Sequence, residues 1–237
     1  MSARIKTKYV LTLVLVLAAT IVPALYAQAG MGGDFSEKTA ENTKKLKQYS
    51  YLQTTKVYYK GELKNTKLAR VHYDATGEKV SVPLDPPAPQ AAPASNGRGG
   101  MMGRIKEKKI AEAKDEMKEY TERVIGLMGQ YLPPNADRMK AALPKAQITP
   151  NDNGKAKITM ADYLKAGDKM IMSIDPGSKS LTEIMIDSSL DSDPVTFQVN
   201  FNKLPDGTNY PALTTINAPA KQLRLEVSSS DFQKQSQ

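Results

Sequence analysis

Val195-Thr196-Phe197-Gln198-Val199-Asn200-Phe201 alternates an apolar with a polar side chain at every step. Successive side chains of a strand point to opposite faces, so this stretch predicts a β-strand with one apolar and one wet face. The same texture spreads to both sides. Met170–Ile174 and Leu181–Ile186 flank Asp175-Pro176-Gly177-Ser178-Lys179, a hairpin loop by composition. Leu204-Pro205-Asp206-Gly207 turns the chain into Tyr210–Ile216, and Leu223, Leu225 and Val227 alternate again. Five strands at this spacing predict an antiparallel meander. Its apolar face needs a cover.

The cover is a helix predicted over Arg104–Tyr131. There Ile110, Ala113, Met117, Tyr120, Val124, Leu127 and Tyr131 recur at three- and four-residue spacing, a single narrow apolar seam. Gly126 and Gly129 loosen its last turns, Pro133-Pro134 stops it, and a shorter helix is expected over Ala136–Leu143. Upstream, Ser36 can cap a helix over Asp34–Gln48. A period of two then takes over in Tyr49, Tyr51, Thr55, Val57 and Tyr59. Leu68–Tyr73 and Lys79–Val82 read as further strands joined by the turn Asp74-Ala75-Thr76-Gly77. Pro83–Gly103 is rich in proline and then in glycine and methionine, a low-complexity loop. The expected organisation is a disordered leader over 30–33, one domain over 34–232 carrying the loop 83–103 and a helical insertion 104–143, and a tail over 233–237. The fold class is α+β.

Residues 1–29 read as an address. Arg4, Lys6 and Lys8 precede an apolar core from Tyr9 to Ala19, and Ala27-Gln28-Ala29 supplies small residues for cleavage near Ala29. The stretch Tyr9–Ala29 is also about as long as a bilayer-spanning helix, so an uncleaved anchor is the alternative reading. The chain of 237 residues holds no cysteine, which excludes a lipidated lipobox, disulfides and thiolate catalysis. Once cleaved, it is expected to be a soluble periplasmic protein and a monomer. The formal net charge is +8, and Asp34–Arg70 alone holds nine Lys/Arg against four Asp/Glu. Such a face suits anionic lipid headgroups, in transient contact with a membrane surface, or acidic glycans. The favoured reading is a solvated lysine-rich surface on a helix and edge strands. An exported chain is not expected to bind nucleic acid.

Catalytic constellations are sparse. His72 is the only histidine, which removes two-histidine metal sites and leaves a serine-histidine-aspartate triad dependent on a single strand residue. Gly97–Gly103 departs from a phosphate-binding loop at Met102 and follows a proline-rich stretch instead of a strand, so it reads as a hinge. Asp187, Asp191 and Asp193, with Asp175 expected nearby, lack the spacing of a calcium loop and suit turn capping. Met160, Met170, Met172 and Met185 have no second soft ligand and suit adaptable packing. The candidate ligand cavity is lined by Tyr49, Tyr51, Val57, Tyr59, Met117, Tyr120, Val124, Met170, Met172, Phe197 and Phe201. No catalytic residue, metal or cofactor is assigned, and the chain is read as a non-enzyme.

In order of parts the chain resembles the LolA/LolB-like family of exported lipoprotein carriers, which includes the RseB/MucB envelope regulators. The likeness is carried by the signal peptide, the short first helix, the tyrosine-rich strand Tyr49–Tyr59, the helical excursion and the meander Met170–Val227. Leu204-Pro205-Asp206-Gly207-Thr208-Asn209-Tyr210-Pro211 belongs to it as well. The resemblance implies a strongly curved antiparallel sheet, an open half-barrel, with helices covering the concave face where acyl chains bind. It implies a carrier of lipid or lipoprotein acyl chains. The alternative on the same fold is a regulatory module that binds an envelope protein partner. No residue role carries over from the family.

Overall fold

Three turns are built by the same local chemistry. Asp74 Oδ1 accepts hydrogen bonds from the Thr76 and Glu78 amides at 2.9 and 3.0 Å. Asp175 Oδ1 accepts from the Gly177 amide at 2.9 Å, and Asp206 Oδ1 from the Thr208 amide at 2.9 Å. A short carboxylate that folds back on the next backbone amides sets a tight reversal. Each of these turns also holds a left-handed residue, Gly77 (φ 80°), Lys179 (φ 51°) and Gly207 (φ 83°), a conformation that glycine adopts most freely.

The computed structural model describes residues 31–84, 101–150 and 155–235. In chain order the elements are α1 (Met31–Leu46), β1 (Tyr49–Tyr59), β2 (Glu62–Tyr73), β3 (Lys79–Pro83), α2 (Met101–Tyr131) and α3 (Ala136–Ala142). A 3₁₀ turn, Leu143–Lys145, leads into β4 (Gln147–Pro150), β5 (Ala156–Ala161), β6 (Lys169–Asp175) and β7 (Ser180–Leu190). Then follow β8 (Asp193–Lys203), β9 (Asn209–Ala218) and β10 (Leu223–Lys234). The ten strands described form one antiparallel sheet in the order β3-β2-β1-β10-β9-β8-β7-β6-β5-β4, with β3 and β4 as its edges among the described residues. The fold is α+β, and the sheet is not closed into a barrel.

The sheet is two meanders joined at their ends. Strands β4 to β10 follow one another in space as in sequence, and β1 then pairs with β10 from Tyr49↔Lys234 to Tyr59↔Leu223. Register aligns apolar residues into rows. Val57, Leu225, Ile216, Phe197, Ile186, Met170 and Met160 stand side by side from β1 to β5 on one face. The row beside it reads Val227, Thr214, Val199, Ile184, Met172, Ile158 and Ile148. On the other face the row Lys56, Glu226, Thr215, Gln198, Met185, Ile171, Thr159 and Gln147 is largely polar. A one-residue slip would exchange the two faces, so the pattern pins the register.

Helix α2 covers the apolar face. Tyr120, Val124, Leu127 and Tyr131 join the strand rows in one buried cluster, with Met139 of α3 and Tyr163. The expected seam therefore works only in its second half. Ala113 is exposed with Lys109, Glu112, Asp115 and Glu116, and the Ile110 side chain lies outside the described residues. A helix of 31 residues is about 46 Å long, whereas Tyr120–Tyr131 takes up about 17 Å. The helix is longer than its seat.

Several boundaries differ from expectation. The signal segment and residues 85–100 lie outside the described residues, so the cleavage reading and most of the hinge do too. Met31–Gly33, expected as a leader, opens α1, and Met101–Gly103 opens α2; glycine weakens a helix without breaking it. Strand β10 runs on through Gln233 and Lys234, into the expected tail. Strands β4 and β5 are additions, which makes the meander seven strands instead of five. Strand β2 starts at Glu62, because its first half is exposed and carries no apolar alternation to read. Among the described residues no helix is long and apolar enough to cross a membrane.

Leu225 is 1 % exposed at the junction of β10 with β1 and β9. In Leu225→Ala, urea denaturation is expected to show a loss of about 2–5 kcal/mol. Leu213→Ala on the opposite, wet face of β9 should change stability by no more than about 0.5 kcal/mol.

Candidate functional site

The predicted cavity residues do not surround one space. Tyr120, Val124, Met170, Met172 and Phe197 are buried in the cluster that α2 closes against the sheet. They pack on one another, as close-packed interiors do. Val57, Met117 and Phe201 lie half-buried at the margin of that cluster. Tyr59 is half-buried outside it at the end of β1, with the Lys60 ammonium 5.2 Å from its ring centre.

Tyr49 and Tyr51 belong to a second cluster. Tyr51 stacks on Phe232 at 5.0 Å, Tyr210 approaches the same ring at 4.4 Å, and Tyr49 meets it edge-on at 6.4 Å. Phe232 and Tyr210 were not legible as partners, because the register shifts between Ser50 and Leu52 and between Asn200 and Phe201. A bulge breaks the two-residue period by which neighbours are counted. The Tyr49 hydroxyl donates to Asp206 Oδ2 at 2.7 Å and, with the Thr208 amide, holds that carboxyl down to about 2. Burial raises the Tyr51 phenol, with Tyr73 adding to it.

The sequence also gave no sign of how α2 is fastened. Asp168, 3 % exposed, lies in the turn between β5 and β6. Its Oδ2 accepts from the Tyr131 hydroxyl at 2.6 Å and from the Leu164 and Lys165 amides at 3.0 and 2.9 Å. The Tyr131 hydroxyl also meets Ser188 Oγ at 2.9 Å, which ties the last turn of α2 to β7. Burial, then the bond to Asp168, pushes the Tyr131 phenol up to about 12. Asp168 Oδ1 is buried without a partner among the described residues. Nearer the middle of α2, Arg123 pairs with Asp191 at the surface.

The other singled-out residues separate. Asp175 sits at one end of β7 and Asp191 with Asp193 at the other, so the four aspartates form no cluster. Asp187 pairs across the sheet with Lys169 and Thr196, and Asp193 lies 3.9 Å from the Lys221 ammonium. Met160, Met170 and Met172 are core filler, but Met185 is 37 % exposed on the opposite face, because it falls one residue out of phase with Ile184 and Ile186. His72 stands on that face too, opposite Val80. No group of three His, Asp or Glu side chains among the described residues is arranged to hold a metal ion.

A groove of about 270 Å³ lies on the wet face, lined by Thr149, Pro150, Lys157, Ile171, Ser173, Glu183 and Met185. It is small beside common ligand sites and stands on the side away from α2. The surface that best qualifies as a binding site is the edge of the helix-covered face. There the apolar rows continue past the seat of α2 onto β9, β10 and β1, where Thr214, Val227, Thr55, Val57 and Tyr59 are only half-buried. Comparison of the chain with protein-family models, curated proteins and solved structures finds no match.

Two outcomes test these contacts. Tyr131→Phe strips the buried Asp168 of its hydroxyl donor and should cost about 1–3 kcal/mol in urea denaturation. In wild type the Asp206 carboxyl contributes stability that is complete above its ordinary 3.8 and fades as pH falls toward 2. In Tyr49→Phe, carboxyl NMR should show Asp206 titrating closer to 3.8.

Proposed function

We propose that the protein is an exported, non-enzymatic binder of a lipid or acylated hydrophobic ligand, built as a LolA/LolB-like carrier. In this reading the sheet is a curved half-barrel, α2 and α3 cover its concave face, and the ligand lies along β1 and β10 beside the seat of α2. The signal peptide is cleaved near Ala29 and the mature chain works as a periplasmic monomer. The observation that carries the reading is the mismatch between the two surfaces. The apolar rows span β1 to β5, whereas the buried seam of α2 is only Tyr120–Tyr131.

Magnitudes favour a movable cover. Burying a chain of ten CH₂ groups is favourable by about 8 kcal/mol. Exposing four large seam side chains costs roughly 6–12 kcal/mol. The two are close enough for a ligand to displace part of α2 and take its place, with Met117, Met170 and Met172 adapting to the new shape.

A second reading is favoured by one observation: the space beneath Tyr120, Val124 and Tyr131 is filled by the protein's own side chains. On that ground the same fold serves as an envelope module that binds a protein partner.

Native mass spectrometry of protein purified from its own envelope separates the two. Retained lipid, or uptake of a fluorescent fatty acid, is expected for a binder. Protein that is consistently ligand-free, takes up no lipid and yields a stoichiometric partner after delipidation would establish the second reading instead.

A further inference from the structure

The side of β1–β3 that continues the helix-covered face differs in kind from the core beside it. Register puts Gln53, Thr55 and Val57 of β1 on that side, with Lys67 of β2 directly opposite Thr55. Lys79 of β3 reaches well beyond its own strand. It stands opposite Tyr73, yet its ammonium donates to Gln53 Oε1 at 3.1 Å, so its stem crosses β2 to end over β1. Gln53 and Thr55 follow one another on that side about 7 Å apart. Two exposed lysines from separate strands therefore converge on one short stretch of β1.

Neither charge is met by a carboxylate. Apart from Glu62 at its start, the three strands contain no aspartate or glutamate, and Glu62 is paired with Lys64. The neighbouring strand β10 brings Glu226 and Asp231, but these pair with Arg224 and Arg70. Among the described residues Lys67 and Lys79 have no ion pair. The group that holds Lys79 is a neutral amide, which leaves its charge uncompensated.

Along the same stretch stand Val57 and Val227, where the apolar rows run out from under α2. An apolar trough that ends against two uncompensated ammonium groups has the polarity of an amphiphile, with its tail toward α2 and an anionic head toward β2 and β3. A neutral headgroup would leave both charges unanswered, and a cationic one would be repelled.

We propose that the acyl ligand is anionic, and that Lys67 and Lys79 take its carboxylate or phosphate headgroup above Gln53 and Thr55. This deepens the acyl-binding reading and rests on it, since the tail lies along Val57 and Val227.

Titration calorimetry on delipidated protein from its own envelope compares three ligands that share a dodecanoyl chain. They are dodecanoate, lysophosphatidylglycerol and uncharged monododecanoylglycerol, each below its micellar concentration. Both anionic ligands should bind at least about tenfold tighter than the uncharged ester, and added salt should narrow that gap. Lys67→Ala/Lys79→Ala should bring them down to the affinity of the ester and leave binding of the ester itself unchanged. Lys67→Arg/Lys79→Arg should keep the preference. Lys56→Ala removes a cation from the opposite face of β1 and should change nothing. The tighter of the two anionic ligands identifies a free fatty acid or a phospholipid as the source of the headgroup. Equal affinity for charged and uncharged ligands, or a preference that survives in the double alanine variant, would overturn the headgroup site and leave acyl binding standing. Binding of none of the three would overturn both.

Discussion

Pairing of β1 with β10 is the constraint on which the rest of the molecule depends. It joins residues from opposite ends of the chain, Tyr49 beside Lys234, and among the described residues it is the only strand pairing between the two meanders. The C-terminal meander carries the main buried cluster and has α2 as its cover. The first three strands contribute little to that cluster beyond the edge residue Val57. Their stability is therefore borrowed through β10, by its ladder and by the Tyr51–Phe232 stack at the end of it. Contacts so distant in sequence impose a large loop-closure entropy, which places this seam late in folding.

The division of labour between apolar and polar contacts follows from this. Packing holds the sheet to α2 in bulk, but it does not fix where along the sheet the helix lies. Asp168 supplies that position, since a buried carboxylate with three donors tolerates little displacement of any of them. The first helix is placed by a similar device. Asn42 exchanges two hydrogen bonds with the backbone of Asn209, its Nδ2 donating to the carbonyl and its Oδ1 accepting from the amide.

Much of this was legible in the sequence, and the failures have physical causes. Val195–Phe201 announced its two faces because β8 is flanked on both sides and covered on one, the condition under which alternation is strict. The aspartate turns were equally plain. Strands β4 and β5 were missed because they are short, and β2 was truncated because its first half is wet on both faces. The candidate site was read as a single cavity because Tyr49, Tyr51 and Phe197 share a texture. Texture does not encode distance: two bulges and the width of the sheet separate the aromatic pair from the phenylalanine. Met185 shows the converse, where a shift of one residue sends a methionine from the core to the surface. Asp168 carried no signal, since its significance lies in Tyr131, 37 residues away.

The two edges of the sheet have a consequence for how copies of this protein behave in a crowd. An open sheet presents two rows of unpaired amides and carbonyls, onto which another chain can add a strand. Here both edges are short, five residues in β3 and four in β4, and each ends on a proline, Pro83 and Pro150. Proline has no amide proton to offer an incoming strand. Each rim of this broad, unclosed sheet is thus short and ends on an imino acid, which hinders the addition of a further strand there.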